Sequence, residues 1–323
     1  MSAHHQDKAA LVTGGTEGIG KEIARGLARA GMRVIIVGRD REKGARAEQE
    51  LRHSTQNRNV DFLEADLSLI REVRRLANCV IGRWPVLHRL VHVAGIVRGR
   101  RVLTAEGIES NFAVNYLSRF ALTGYLLPLL EATGRTDKAA ARIVVVSGAA
   151  RRGTIYFDDV NLTSNFSTPR VVLQSCHAND VFTVEQAHRL AMTKAAAHVT
   201  INCLKLGVVK TGIRKEFPWW MKLLVPLVLD PLLAQTPSDA AAAALKLLLS
   251  EEFENVSGAL FLKIRKFKRV STTSLLHDPQ EAEQLWEMSR RLVGNAITVA
   301  TAGSPDDDPR RRHEAGCHRS LQI

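Results

Sequence analysis

Residues 11–20 read LVTGGTEGIG and set three glycines at the spacing Gly14-x-x-x-Gly18-x-Gly20. Between a strand and a helix, such glycines let the backbone turn tightly and approach a pyrophosphate. The N–H groups and dipole of the following helix favour the anion. A second stretch, Val37-Gly38-Arg39, falls at the tip of the next strand. A carboxylate there would take the ribose hydroxyls of NAD and repel a 2′-phosphate, whereas Gly38 leaves room and Arg39 offers a planar cation. NADP is therefore expected in preference to NAD, with Asp40 the one residue that pulls the other way.

The elements that must position these residues alternate along the first 150 positions. AALVTGG (9–15), MRVIIVGRD, VDFLEADLS, LHRLVHVAG and ARIVVVSGAA (141–150) are apolar runs that read as strands. KEIARGLARAG (21–31), REKGARAEQELRH, LIREVRRLANCVIG and GIESNFAVNYLSRFALTGYLLPLLEAT read as the helices between them. Strands without strict alternation, separated by helices, predict a parallel sheet covered on both faces, with its ligand at the carboxyl ends of the strands. The expected class is α/β, a single Rossmann-type doubly wound domain over 8–296. Residues 1–7 form a short leading tail, with His4 and His5 read as tail residues and not a metal site. The polar, aperiodic 297–323 forms a tail expected to be disordered.

The chain has 323 residues, is 45% hydrophobic and carries a formal net charge of +12. That is enough apolar material for one substantial core. The excess arginine is spread along the sequence and reads as solvated surface, so no nucleic-acid partner is expected. Cys79, Cys176, Cys203 and Cys317 are widely spaced with no metal-ligand pattern, which predicts reduced thiols, a cytoplasmic setting and no metal. No apolar run precedes the first strand, so no secretory signal or N-terminal anchor is expected.

The glycine spacing, together with Asp66-Leu67 in EADLS, Ala94-Gly95 in VHVAG, Asn115 in NFAVNYL and Gly207-Val208-Val209 with Thr211 in LGVVKTG, resembles the short-chain dehydrogenase/reductase family over roughly residues 8–270. GRD after the second strand, FAVNYLSRF and FDDVNL bring it nearest the retinol-dehydrogenase-like branch. The resemblance implies a sheet of about seven strands and a nicotinamide cofactor, NADP where a basic residue stands at position 39. It implies cofactor contacts at Gly14, Thr16, Gly18, Ile19, Gly20, Arg39, Asp66, Leu67, Ala94, Gly95, Val208 and Thr211. It also implies oxidation or reduction of a lipophilic alcohol or carbonyl.

That chemistry needs a proton donor for the carbonyl oxygen, a group that tunes the donor's pKa and a second hydrogen bond to the oxygen. In the family these are the tyrosine and lysine of a Tyr-x-x-x-Lys pair and a serine ending the fifth strand, while an asparagine supports the lysine through water. VVLQSCHANDVFTVEQAHRLA (171–191) keeps the family frame at Gln174-Ser175, Ala178-Asn179, Phe182-Thr183, Glu185 and Arg189-Leu190-Ala191. In that frame Val172 stands at the tyrosine position, Cys176 at the lysine position and Gly148 at the serine position. Of the four positions Asn115 alone matches. None of the three tyrosines, Tyr116, Tyr125 and Tyr156, has a lysine four residues on. Ser147 should face away from the site. His177 is one position from the lost lysine, about 100° round the helix, and is read as structural or surface; Cys176 is read as a packed thiol. His92-Val93 replaces the usual asparagines, and Leu206 the usual proline. Two classes of function stand: an oxidoreductase with an altered proton route, and a non-catalytic NADP-binding or interaction protein. Standard catalysis is expected to be absent or very weak.

The variable substrate segment falls at 212–240. Its FPWWMKLLVPLVLDPLLAQTPSDA (217–240) is too short and proline-broken to span a bilayer. It reads as an apolar lid, as core or as an interfacial membrane patch near Lys210, Arg214, Lys215 and Lys222. KIRKFKR (263–269) reads as a solvated loop by default and as an anionic partner surface otherwise. SDAAAAALKLLLSEEF and DPQEAEQLWEMSRRLVG read as the last two helices. The expected partner is a lipophilic small molecule, with peripheral membrane contact and self-association left open.

Overall fold

The structure, a computed structural model, describes residues 7–150, 153–193, 195–207, 209, 235–264, 266–270 and 278–302. Val208, Thr211, Lys194 and most of the 212–240 segment lie outside the described residues.

A strand flanked by other strands and covered on both faces needs apolar residues throughout, and β1 (Ala9–Thr13) is buried along its whole length. It pairs in parallel with β2 (Arg33–Gly38) and with β4 (Arg89–His92). β3 (Val60–Glu64) continues the sheet beyond β2, while β5 (Ala141–Gly148), β6 (Val199–Leu206) and β7 (Leu260–Lys263) continue it beyond β4. β8 (Phe267–Val270) closes the series antiparallel to β7, so the order is β3-β2-β1-β4-β5-β6-β7-β8. The chain is thus a single Rossmann-type domain, with eight strands where about seven were expected. The eighth falls in the stretch expected as a loop. There the Phe267 ring lies parallel to that of Phe261, centroids 5.3 Å apart, while Lys268 and Arg269 stay exposed.

Each face of the sheet has its own core. Ile23, Ala24 and Leu27 of α1 (Gly18–Arg29) and Ala47 and Leu51 of α2 (Arg41–Thr55) pack on one face. They are joined there by Ala240, Ala244 and Leu247 of α7 (Pro237–Leu249). The other face is covered by α3 (Ile70–Arg83), α5 (Ser118–Asp137), α6 (Thr168–Met192) and α8 (Pro279–Ala302). α8 extends six residues past the boundary expected at 296. Ahead of α5 the chain forms a three-residue helix, α4 (Ser110–Phe112), and a π-helical turn, Ala113–Leu117, that contains Asn115.

One expectation from composition is corrected here. Arg89, Arg119 and Arg142 are buried and donate to main-chain carbonyls; Arg89 reaches Leu248 O and Arg142 reaches Leu247 O and Ser250 O, at the end of α7. They are structural cations, not solvated surface. Cys176 and Cys203 are free and buried.

Candidate cofactor and active site

The chain order reverses direction across the sheet between β1 and β4, and the crevice opens at their carboxyl ends. Gly14 has φ +68°, and a Cβ there would lie 2.8 Å from Ala94 Cα; on Gly20 it would collide with the Gly14 carbonyl oxygen. Side chains at either point would push the loop, the helix start and the end of β4 apart. Thr13 Oγ1 ties these pieces together, accepting from the N–H groups of Val93 (3.0 Å) and Ala94 (3.3 Å). The cleft has a volume of about 310 Å³ and is lined by Gly14, Thr16, Arg39, Asp66, Leu67, Ala94 and Gly95, with Glu17, Lys43 and Ile96 among the others. Gly18, Ile19 and Gly20 begin α1 beside it. Asp66 accepts from Ser68 N at 2.9 Å and so shapes the turn into α3.

At the tip of β2 the space above Gly38 is filled by Thr16, whose Cγ2 would be 2.7 Å from a Cβ at 38. The sequence gives no sign of that contact: the room expected over Gly38 is taken up by Thr16, which a side chain at 38 would have to displace. Asp40 is the N-cap of α2, its Oδ1 accepting from Lys43 N at 2.9 Å. Its carboxylate is engaged by the helix, while Arg39 is exposed and has no hydrogen-bond or ion-pair partner among the described residues.

The chemical end is built around Asn115. Its Oδ1 accepts from Ile96 N and its Nδ2 donates to Ile96 O, both at 2.8 Å, which pins the segment after β4. The Asn115 carbonyl accepts from Asn179 Nδ2 at 2.8 Å. Arg119, one helical turn on, donates to Val146 O (2.8 Å), Ala94 O (2.9 Å) and Asn179 Oδ1 (3.3 Å). Burial pushes its pKa down to about 10, so it remains a cation at neutral pH. Sequence reasoning missed Arg119 and had Asn179 only as a position of the helix frame. Nothing in the pattern FAVNYLSRF separates a buried arginine from an exposed one.

Two of the three replaced positions meet at the end of β5. An ideal Cβ on Gly148 would be 3.1 Å from Cys176 Sγ, so the end of β5 faces the fourth residue after Val172 on α6. Cys176 is buried and Val172 half-buried. Ser147, the neighbour of Gly148 on the strand, is buried. His177 is directed elsewhere: its Nε2 lies 3.1 Å from both Glu281 carboxylate oxygens on α8. The hydroxyl of Tyr116, fully buried, meets Ser289 Oγ at 2.7 Å, and burial raises its pKa. His92 is buried against Thr123 Oγ1 (2.9 Å), and desolvation, helped by the charge of Arg119, takes its pKa down to about 3. It is a neutral core histidine.

A larger cavity, about 790 Å³, lies between α5, α6 and α8 and shares no lining residue with the cleft. Gln186 and Leu190 line it, roughly 15 and 21 Å along α6 from Cys176. Size therefore does not mark the chemistry here; the arrangement of strand ends does.

The short chain dehydrogenase family pattern matches residues 8–222. Mouse retinol dehydrogenase 13 (Mus musculus) is 35% identical over 308 residues, covering 94% of this chain and 89% of that protein. Human polyprenol dehydrogenase (Homo sapiens) is 32% identical over 289 residues, covering 89% and 86%. Among solved structures, an uncharacterised protein from Mycobacterium paratuberculosis superposes with a TM-score of 0.68 at 26% identity, over 89% of this chain and 93% of that one. The chain belongs to the short-chain dehydrogenase family of oxidoreductases, which bind nicotinamide cofactors, and is similar to its retinol and polyprenol dehydrogenases. Among the described residues no helix is long and apolar enough to cross a membrane.

Proposed function

We propose that this protein binds NADP(H) in the cleft and that its standard hydride-transfer activity is absent or very weak. Gly14 and Gly20 would admit the pyrophosphate to the start of α1. Asp66 and Leu67 would border the adenine, and Ala94 and Gly95 the inner ribose. Arg39 would meet the 2′-phosphate, a role supported by the engagement of Asp40 as a helix cap and by the Thr16 contact that fills the space over Gly38. When bound, the nicotinamide ring supplies or accepts the hydride.

The observation that carries the catalytic half is the approach of Gly148 to Cys176. The serine, tyrosine and lysine positions of the family frame carry Gly148, Val172 and Cys176, which offer no hydroxyl and no cation, only a buried thiol. Arg119 is a cation, but its terminal Nη1 and Nη2 groups are directed to the Val146 and Ala94 carbonyls and to Asn179, and its Nε–H alone has no partner among the described residues. His177 is bound to Glu281, which argues against a replacement proton route through it. A positioned acid/base contributes about 10²–10⁴-fold and an oxyanion donor about 10²–10³-fold, and groups that act as a unit do not multiply. The larger loss alone takes a turnover of roughly 10 per second to about one per thousand seconds. Similarity to retinol and polyprenol dehydrogenases points to a long apolar alcohol or carbonyl as the molecule held beside the cofactor.

Two measurements test this. Calorimetric titration is expected to show tighter binding of NADPH than NADH, with the difference lost in Arg39→Ala; equal affinities, unchanged by that substitution, would remove the phosphate argument. NADPH consumption over retinoid, steroid and quinone carbonyls is expected to be near background for the natural protein and to rise in Gly148→Ser/Val172→Tyr/Cys176→Lys. An ordinary rate in the natural protein would overturn the proposal.

A further inference from the structure

The cleft contains a charged pair that the reading above does not use. Lys43, in the first turn of α2, lines the cleft on the same side as Arg39, and its Nζ is ion-paired with Glu17 Oε2. Glu17 immediately precedes α1, where the pyrophosphate would sit, and its side chain caps no helix N–H. Both are partly exposed, at 35% and 54% of the side chain. A pair in that position contributes about 0–1 kcal/mol, so a stronger anion displaces it at little cost. A phosphate monoester carries close to two negative charges at neutral pH.

We infer that Glu17 and Lys43 form a cofactor-discriminating pair, in which Lys43 is the second cation for the 2′-phosphate and Glu17 competes with that phosphate for it. The inference rests on the NADP reading. Arg39 alone leaves a phosphate dianion half-neutralised, and Lys43 supplies the missing charge from the first turn of α2 in the same cleft. Glu17 has a second effect: its carboxylate, at the start of α1, disfavours any polyanion there once Lys43 has moved to the phosphate. In the free protein the two charges cancel. With NADP(H) they separate, so the net gain from Lys43 is reduced by what Glu17 loses.

The test is fluorescence titration with NADPH and NADH, read as the ratio of their dissociation constants, on the natural protein, Glu17→Gln, Lys43→Met, the double variant and Arg39→Ala. Both sites are exposed enough for the variants to fold. Lys43→Met is expected to reduce the preference for NADPH about tenfold, the value of one charge-assisted bond. Glu17→Gln is expected to raise that preference several-fold by freeing Lys43, and to tighten both cofactors by removing a negative charge from the pyrophosphate site. In the double variant the effect of Glu17→Gln on the preference disappears, because no lysine is left to release. A preference unmoved by Lys43→Met but lost in Arg39→Ala overturns this inference and leaves the NADP reading standing. No preference in the natural protein, insensitive to Arg39→Ala, overturns both. An effect of Glu17→Gln that persists in the double variant shows that the two residues act independently, and also refutes the pairing.

Discussion

Replacing Lys205 with methionine removes the cation from a carboxylate that has almost no access to water. Lys205, on β6, is ion-paired with Asp180 on α6; their side chains are 9% and 2% exposed. Desolvation raises the pKa of Asp180, and the charge and hydrogen bond of Lys205 oppose that rise. Among the described residues its other close polar contact is the Cys203 thiol, Sγ to Oδ1 at 3.8 Å, too weak a donor to hold a charge. Breaking a buried pair from one side costs about 3–5 kcal/mol, against a total stability of about 5–15 kcal/mol. Lys205→Met should therefore lose that amount at pH 8, measured by urea unfolding followed by tryptophan fluorescence.

The loss should depend on pH, because without Lys205 the folded pKa of Asp180 rises further above its unfolded value of about 3.9. A carboxyl raised on folding contributes stability below its unfolded pKa that disappears as pH rises through the folded pKa. The variant should therefore recover relative to the natural protein as pH is lowered towards 4. Replacing both partners with apolar residues, Asp180→Leu/Lys205→Met, should restore stability to within about 1 kcal/mol of the natural protein or exceed it. Lys205→Met within about 1 kcal/mol of the natural protein at pH 8 would refute the reasoning.

Gly20→Ala places a methyl group against the Gly14 carbonyl oxygen. It should weaken NADPH binding by about 5- to 150-fold, equivalent to an overpacking strain of about 1–3 kcal/mol, without changing the far-ultraviolet circular dichroism. His92, with a folded pKa down to about 3 because it is desolvated and near Arg119, favours the fold above its unfolded pKa of about 6.5. That contribution is lost as pH falls from 6.5 towards 3. Urea unfolding between pH 7 and 4 should show a steep fall that flattens in His92→Asn, and equal slopes would count against it.

The first half of the fold is legible because β1, β2 and β5 are largely apolar runs ended by glycine. β6 is less so. Thr200, Asn202 and Lys205 interrupt its apolar pattern, although all three are buried. Asn202 takes part in the packing by donating to Val256 O (2.6 Å) and accepting from Ala259 N (3.0 Å), contacts that only the folded chain brings together. β8 reads as loop because its charges dominate, while the ring that anchors it needs Phe261 opposite. At the site, the positions of Gly148, Val172 and Cys176 come from the motif frame, and the approach of Gly148 to Cys176 comes from the fold. The π-helical turn at Asn115 has no signature in residue type. The burial of Arg119 is equally hidden, since its acceptors are main-chain oxygens that any sequence provides.

β8 also decides what the sheet can offer to other chains. β7 is hydrogen-bonded to β6 on one side and to β8 on the other, so none of its backbone is left to recruit a further strand. The outermost strand on that side is instead four residues long and carries Lys268 and Arg269 exposed. A short, positively charged margin repels an identical copy and is a poor template for strand addition. Self-association by strand addition is therefore disfavoured at this edge, and growth into a continuous intermolecular sheet is opposed at this end by the residues that, in the linear sequence, looked like a landing place for an anion.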